Sequence, residues 1–217
     1  MKRFTLAGLL AVFSLIVIIN FIFIESVRAQ AEKATKTKEE IKISKAVFKN
    51  AMRKPWENYI SNLRSYIKNV LKGNENTDML YKDTEDIGDT IKPYFGDEAG
   101  KQLTSLLMDQ IVKATEVMQA AKDNNYQALT KAQDAWNASA DNIATFLSGA
   151  TSHWSKQNLY EIFYKHLDLT SDEIMSRNAN NADDEKEVYE KNQKQVILFA
   201  DTIADGIIKQ FPEKFKK

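Results

Sequence analysis

Apolar residues recur every three or four positions through most of this chain, and very little stops them. In 217 residues there are only three prolines, Pro55, Pro93 and Pro212, and seven glycines. That spacing draws one apolar stripe along an α-helix, and few breakers mean long helices. The alternating β-branched runs that a sheet requires are hard to find. Pro55, suited to a first helical turn, opens a stripe of Trp56, Tyr59/Ile60, Leu63, Tyr66/Ile67 and Val70, closed by Gly73-Asn74. A second helix is predicted from about Asp78 to Ile91, carrying Leu80, Thr84, Ile87 and Ile91, with Pro93 as its stop and Tyr94-Phe95-Gly96-Asp97 as a corner.

The third stripe runs Leu103, Leu106/Leu107, Gln110/Ile111, Ala114, Val117/Met118 and Ala121, and Asp123-Asn124-Asn125 turns the chain. The fourth carries Leu129, Ala132, Trp136, Ala140, Ile143 and Leu147. A polar link with His153 and Trp154 leads to a shorter helix with Leu159, Ile162/Phe163, His166 and Leu167. Thr170-Ser171-Asp172-Glu173 has capping-box spacing and is read as the start of another helix. Residues 176–187 are nearly all polar, and a final stripe runs from Val188 through Asn192, Gln195/Val196, Phe199 and Ile203 to Ile207. The fold class is all-α: an antiparallel bundle of five to six helices over residues 55–217, packed at coiled-coil-like angles.

Ahead of it, Met1-Lys2-Arg3 and an apolar run from Phe4 to Ile24 precede Val27-Arg28-Ala29, the small-x-small pattern that a signal peptidase reads. Residues 1–29 therefore read as a signal peptide, or as a signal anchor, because residues 4–24 reach the length of a spanning helix. Either reading puts the rest of the chain outside the cytoplasm, in the periplasm or beyond, or held on the outer face of the inner membrane. Membrane contact is expected only through residues 4–24. Residues 30–54, rich in Ala, Lys, Thr and Glu, read as a charged tether or lead-in helix.

With no cysteine, disulfides, thiolate zinc sites, iron–sulfur clusters and c-type haem attachment are excluded. Charge is balanced at 30 basic and 30 acidic residues, and removing residues 1–29 leaves 27 against 29; nucleic acid is not an expected partner. There is no Gly-rich phosphate loop, so no nucleotide is expected, and no nucleophile elbow.

The informative residues are polar ones on apolar stripes. Tyr59, Gln110, His166, Asn192 and Gln195 fall at interior positions, and Asp86, Asp141 and Asn142 lie at or beside inner edges. An unpartnered buried amide or imidazole costs roughly 1–3 kcal/mol, so these groups should meet one another, water or a ligand. They read either as a structural network fixing helix register or as a pocket for a small polar ligand. A divalent ion would need His166 together with Asp86, Asp141 or Asp201; Glu-x-x-His spacing is missing at both histidines. The leading expectation is an exported, non-catalytic bundle that binds a small ligand or an envelope protein. The alternative is a metal-binding protein or metal-dependent enzyme built on His166.

Three stretches, Glu85-Asp86-Ile87-Gly88-Asp89-Thr90-Ile91-Lys92-Pro93-Tyr94-Phe95-Gly96-Asp97-Glu98-Ala99-Gly100, Ala140-Asp141-Asn142-Ile143-Ala144-Thr145-Phe146-Leu147-Ser148 and His166-Leu167-Asp168-Leu169-Thr170, stand out. With Trp56-Glu57-Asn58-Tyr59 and Ala204-Asp205-Gly206-Ile207-Ile208, they resemble an uncharacterised family of small bacterial helical proteins, some labelled glycosyltransferases in genomes. Sugar-nucleotide transferases build α/β nucleotide-binding domains, and this chain offers no strands for one. The resemblance covers residues 55–215 and implies a metal site in relatives that carry His at the positions of Tyr59, Gln110 and Gln195 and Glu at that of Asn142. His166, Asp86 and Asp141 match that pattern; the other donors are replaced here.

Overall fold

Among the described residues the stripes fold as six α-helices: α1 (Lys45–Val70), α2 (Asp78–Phe95), α3 (Asp97–Lys122), α4 (Tyr126–Ala150), α5 (Lys156–Asn178) and α6 (Ala182–Gln210). The computed structural model describes residues 42–74 and 76–216. The export segment and residues 30–41 of the lead-in lie outside them. Residues from Ile43 onward form one unit, and among the described residues no helix is long and apolar enough to cross a membrane. Each helix packs on its neighbour in sequence, α6 closes onto α1, and α3 also touches α1 and α5. The predicted stripes face inward: Trp56, Leu63, Ile87, Leu107, Trp136, Phe163 and Phe199 belong to one continuous core. Burying each such side chain contributes about 1.5–3 kcal/mol, which outweighs modest helix propensity.

Short turns make consecutive helices antiparallel, so the bundle has two ends. At one, α1, α3 and α5 stop by the same device. Gly73, Asn124 and Asn180 take positive φ (90°, 54° and 57°). The next residue's amide reaches back five positions, Asn74 to the Asn69 carbonyl, Asn125 to Ala120 and Asn181 to Ser176. This is the six-to-one bond of a Schellman ending. Asn125 and Asn181 then cap the following helices, each side chain accepting from the backbone N–H three residues on.

The opposite end is aromatic. Phe48 packs on Tyr94 and Phe215 with ring centroids 5.3 and 4.9 Å apart, and Phe95 on Trp154 and Phe211 at 5.4 and 5.5 Å. Trp154, expected in a polar link, is buried; its indole N–H donates to the Thr202 carbonyl. It fits because position 206 is Gly, where a Cβ would overlap the indole ring. Ile43 pairs with Phe215, its N–H donating to Lys214 and its carbonyl accepting from Lys216.

Three sequence expectations need correction. The first helix starts at Lys45, not Pro55: Phe48 and Met52 are buried, so residues 45–54 belong to the bundle, and Pro55 lies inside the helix, where it leaves one carbonyl without its usual donor. Pro93 does not end α2, which runs on to Phe95 and breaks at Gly96, φ 89°. Thr170–Glu173 starts no helix. α5 is continuous through it, with the Thr170 hydroxyl donating back to the His166 carbonyl, the local bond by which a mid-helix Thr satisfies its own hydroxyl.

Candidate functional site

Gln110, Trp136 and His166 each sit near the middle of their helices, which have 26, 25 and 23 residues. Antiparallel packing brings such midpoints to one level of the bundle. At that level the core turns polar. His166 Nδ1 lies 2.7 Å from Asn192 Oδ1, Asn192 Nδ2 donates to Thr170 Oγ1 at 2.9 Å, and Thr170 donates to the His166 carbonyl. An amide oxygen only accepts, so the chain of bonds is consistent when Nδ1 carries the imidazole proton and Nε2 is a bare acceptor. Burial, opposed by the Asn192 bond, lowers the His166 pKa to about 4; the ring is neutral at pH 7.

Four buried polar atoms at this level have no hydrogen-bond partner among the described residues: both amide atoms of Gln110, Trp136 Nε1 and His166 Nε2. Tyr59, also buried, sets its ring 6.0 Å from that of His166. Burial and the nearby charge of Asp83 raise its phenol pKa. Asp83 is itself raised by burial, against the Asn62 bond that holds it at 2.7 Å.

The remaining sequence candidates stand elsewhere. Gln195 is half-buried and donates to the Ile162 carbonyl at 2.7 Å. Asp86 and Asp141 are half-exposed and pair with Lys82 and Lys156 at 2.6 and 2.9 Å, and Asn142 is exposed. Asp201 accepts from Arg53 Nε and Nη2, each at 2.7 Å. The carboxylates proposed to join His166 around a metal are thus committed to other partners. Among the described residues no group of three or more His, Asp or Glu is placed to hold an ion.

The segment around Gly88 and Gly100 has a packing explanation. A Cβ on Gly88 would overlap Thr104 and come within 2.6 Å of the Gly100 carbonyl; one on Gly100 would come within 2.8 Å of the Gly88 carbonyl. Those glycines let α2 and α3 touch backbone to backbone.

Sequence reasoning missed a second cluster, at the Schellman end. Glu185 of α6, read as part of an exposed polar run, is buried. It receives Arg64 at 3.0 Å, Arg177 at 2.6 Å and Lys68 at 3.5 Å. Burial works against its ionisation, but Arg177, Lys68 and Arg64 prevail and hold its pKa below the usual carboxylate range. Glu173, read as a capping acid, is 1 % exposed, and its carboxylate makes no hydrogen bond among the described residues; Arg64 stands 4.0 Å away. Burial pushes it up to about 7, against Arg64 and Lys68 and with the repulsion of Glu185. The overlooked signal was spacing: Glu173 follows His166 and Thr170 on the buried face of α5.

No family model matches this chain, and neither a curated protein nor a solved structure matches it.

Proposed function

We propose that this is an exported, non-catalytic binding protein that holds a small polar ligand at the middle level of its bundle. The carrying observation is the set of four buried, unpartnered atoms on Gln110, Trp136 and His166. Left unmet, each costs roughly 1–3 kcal/mol, and together they offer two kinds of donor and two acceptors. An indole N–H, an amide and a neutral imidazole suit an uncharged group bearing both hydroxyl or amide donors and carbonyl acceptors; a buried ion would find no counter-charge among them. Export rests on the basic, apolar and small-x-small pattern of residues 1–29.

Native mass spectrometry of protein recovered from its own cell envelope tests both halves. The expected spectrum lacks residues 1–29, or retains them as an anchor, and carries a reproducible excess mass that Gln110→Leu and His166→Leu lose. Bare polypeptide mass, with both variants folded and more stable than the parent, would show that these residues only fix helix register.

A further inference from the structure

A cleft of about 460 Å³ opens at the Schellman end, lined by Lys68, Lys72, Arg177, Asn178, Asn180 and Glu185. Cations at helix C-termini are ordinarily explained by the helix dipole, and Lys122 fits that account, donating to the Val70 carbonyl at 3.4 Å. Lys68 and Arg177 stand in last turns as well, but their charged groups meet a side chain rather than a carbonyl. They are drawn instead onto Glu185, which already receives Arg64. One carboxylate thus holds three cations in place and neutralises one of them. Arg177 spends a single nitrogen, Nη1, on that bond, and a guanidinium has five N–H donors in a fixed fork. Lys72 lines the same cleft, is exposed, and makes no ion pair among the described residues. Asp183 and Asp184, in the first turn of α6, are not part of the lining. The cleft therefore presents fixed positive charge in a concave wall, which focuses an anion's field.

We propose that this cleft is a binding site for a small doubly charged oxyanion of the phosphate class, gripped by Lys68, Lys72 and the free edge of Arg177. The site is separate from the middle level of the bundle and stands whether or not a ligand binds there. Glu185 acts as a positioning residue, holding cations that would otherwise sample solvent. Glu173 lies beneath, faced by Arg64 and Lys68 of α1 and Glu185 of α6; when ionised it subtracts from the site's charge. A free anion and the phosphate of a lipid headgroup share this chemistry.

Sulfate is the probe of choice, since its charge does not change across neutral pH. Titrated at low ionic strength into the bundle and followed by amide shifts of residues 177–182, it should bind saturably. Lys72→Ala, an exposed change that leaves the fold intact, should weaken it about fivefold, the worth of one charge-assisted contact. Lys113→Ala, a control lysine remote in sequence and paired with Asp109, should change nothing. Affinity should fall as pH rises through 7, and Glu173→Gln should flatten that fall. Flotation with vesicles containing an anionic phospholipid then assigns the source: Lys72-dependent flotation means a headgroup, none means a soluble anion. Absence of saturable shifts, or equal weakening by Lys72→Ala and Lys113→Ala, would overturn the site.

Discussion

The two ends of this bundle are closed by opposite means. The end where the chain enters α1 and leaves α6 is sealed by interlocking rings, Phe48, Tyr94, Phe95, Trp154, Phe211 and Phe215. The end with the three Schellman turns is held by charge, with Arg64, Lys68 and Arg177 around Glu185, and Glu173 buried beside them. Ring packing is insensitive to pH and salt and intolerant of shape change. Ion clusters are the reverse: screened by salt, responsive to protons and open enough to admit a solute. The aromatic end is built to hold its shape and the charged end to respond, and the proposed anion site belongs to the latter.

The largest expected effect lies at the aromatic end. Trp154→Ala should cost about 3–5 kcal/mol in denaturant unfolding, equally in low and high salt; a salt-dependent loss would break the contrast.

The second effect is in pH. Glu173 has a folded pKa raised from 4.5 to about 7, so its share of stability is full below the unfolded value and is lost as pH rises through 7. His166 has a folded pKa depressed from 6.5 to about 4, so its share is present above 6.5 and is lost as pH falls toward 4. Each amounts to no more than about 3 kcal/mol, and between 4.5 and 6.5 the two slopes oppose each other. Glu173→Gln should uncover the acid-side loss due to His166, and thermal melts across that range would show it. A variant with the same pH slope as the parent would remove Glu173 from the account.

Next, Glu185→Gln should cost about 2 kcal/mol at low salt and visibly less in molar salt, because the cations it leaves unpaired are only partly buried. Smallest is Thr170→Val at the middle level, about 1 kcal/mol, independent of salt. If Glu185→Gln proved as salt-blind as Thr170→Val, the charged end would be no more than an ordinary core with polar atoms.

Much of the fold was legible because burial follows the stripes. Leu80, Thr84, Ile87 and Ile91, or Trp136, Ala140, Ile143 and Leu147, are each spaced so that only a helix buries them together, and all are buried. Gln110, His166 and Asn192 could be singled out for the same reason, as polar residues at positions an apolar residue would fill. Glu173 shares that spacing with His166 and Thr170, but a carboxylate near a helix start has a commoner explanation in the dipole; Glu185 carried no such signal, since its partner Arg64 lies more than a hundred positions away. Asp86, Asp141 and Asn142 were placed too far inward because one residue of helix turns a side chain through about 100°, enough to move it from edge to solvent. The Gly-Asn pair at 73–74 and the Asn-Asn pair at 124–125 were visible as breaks, whereas Asn180-Asn181 lay within the polar run 176–187; that all three form the same turn needed the backbone angles.

The pairing of Ile43 with Phe215 has a consequence for chain order. It brings the start and finish of the six helices together, so the bundle is close to a ring in which the position of the opening is arbitrary. Circular permutation should therefore be tolerated. Joining residue 216 to residue 43 by a short Gly-Ser linker and opening the chain between Asn124 and Asn125 should give a protein with the same helices and the same core. Its new termini would emerge at the charged end, beside the cleft, where a reporter could be attached without touching the aromatic seal.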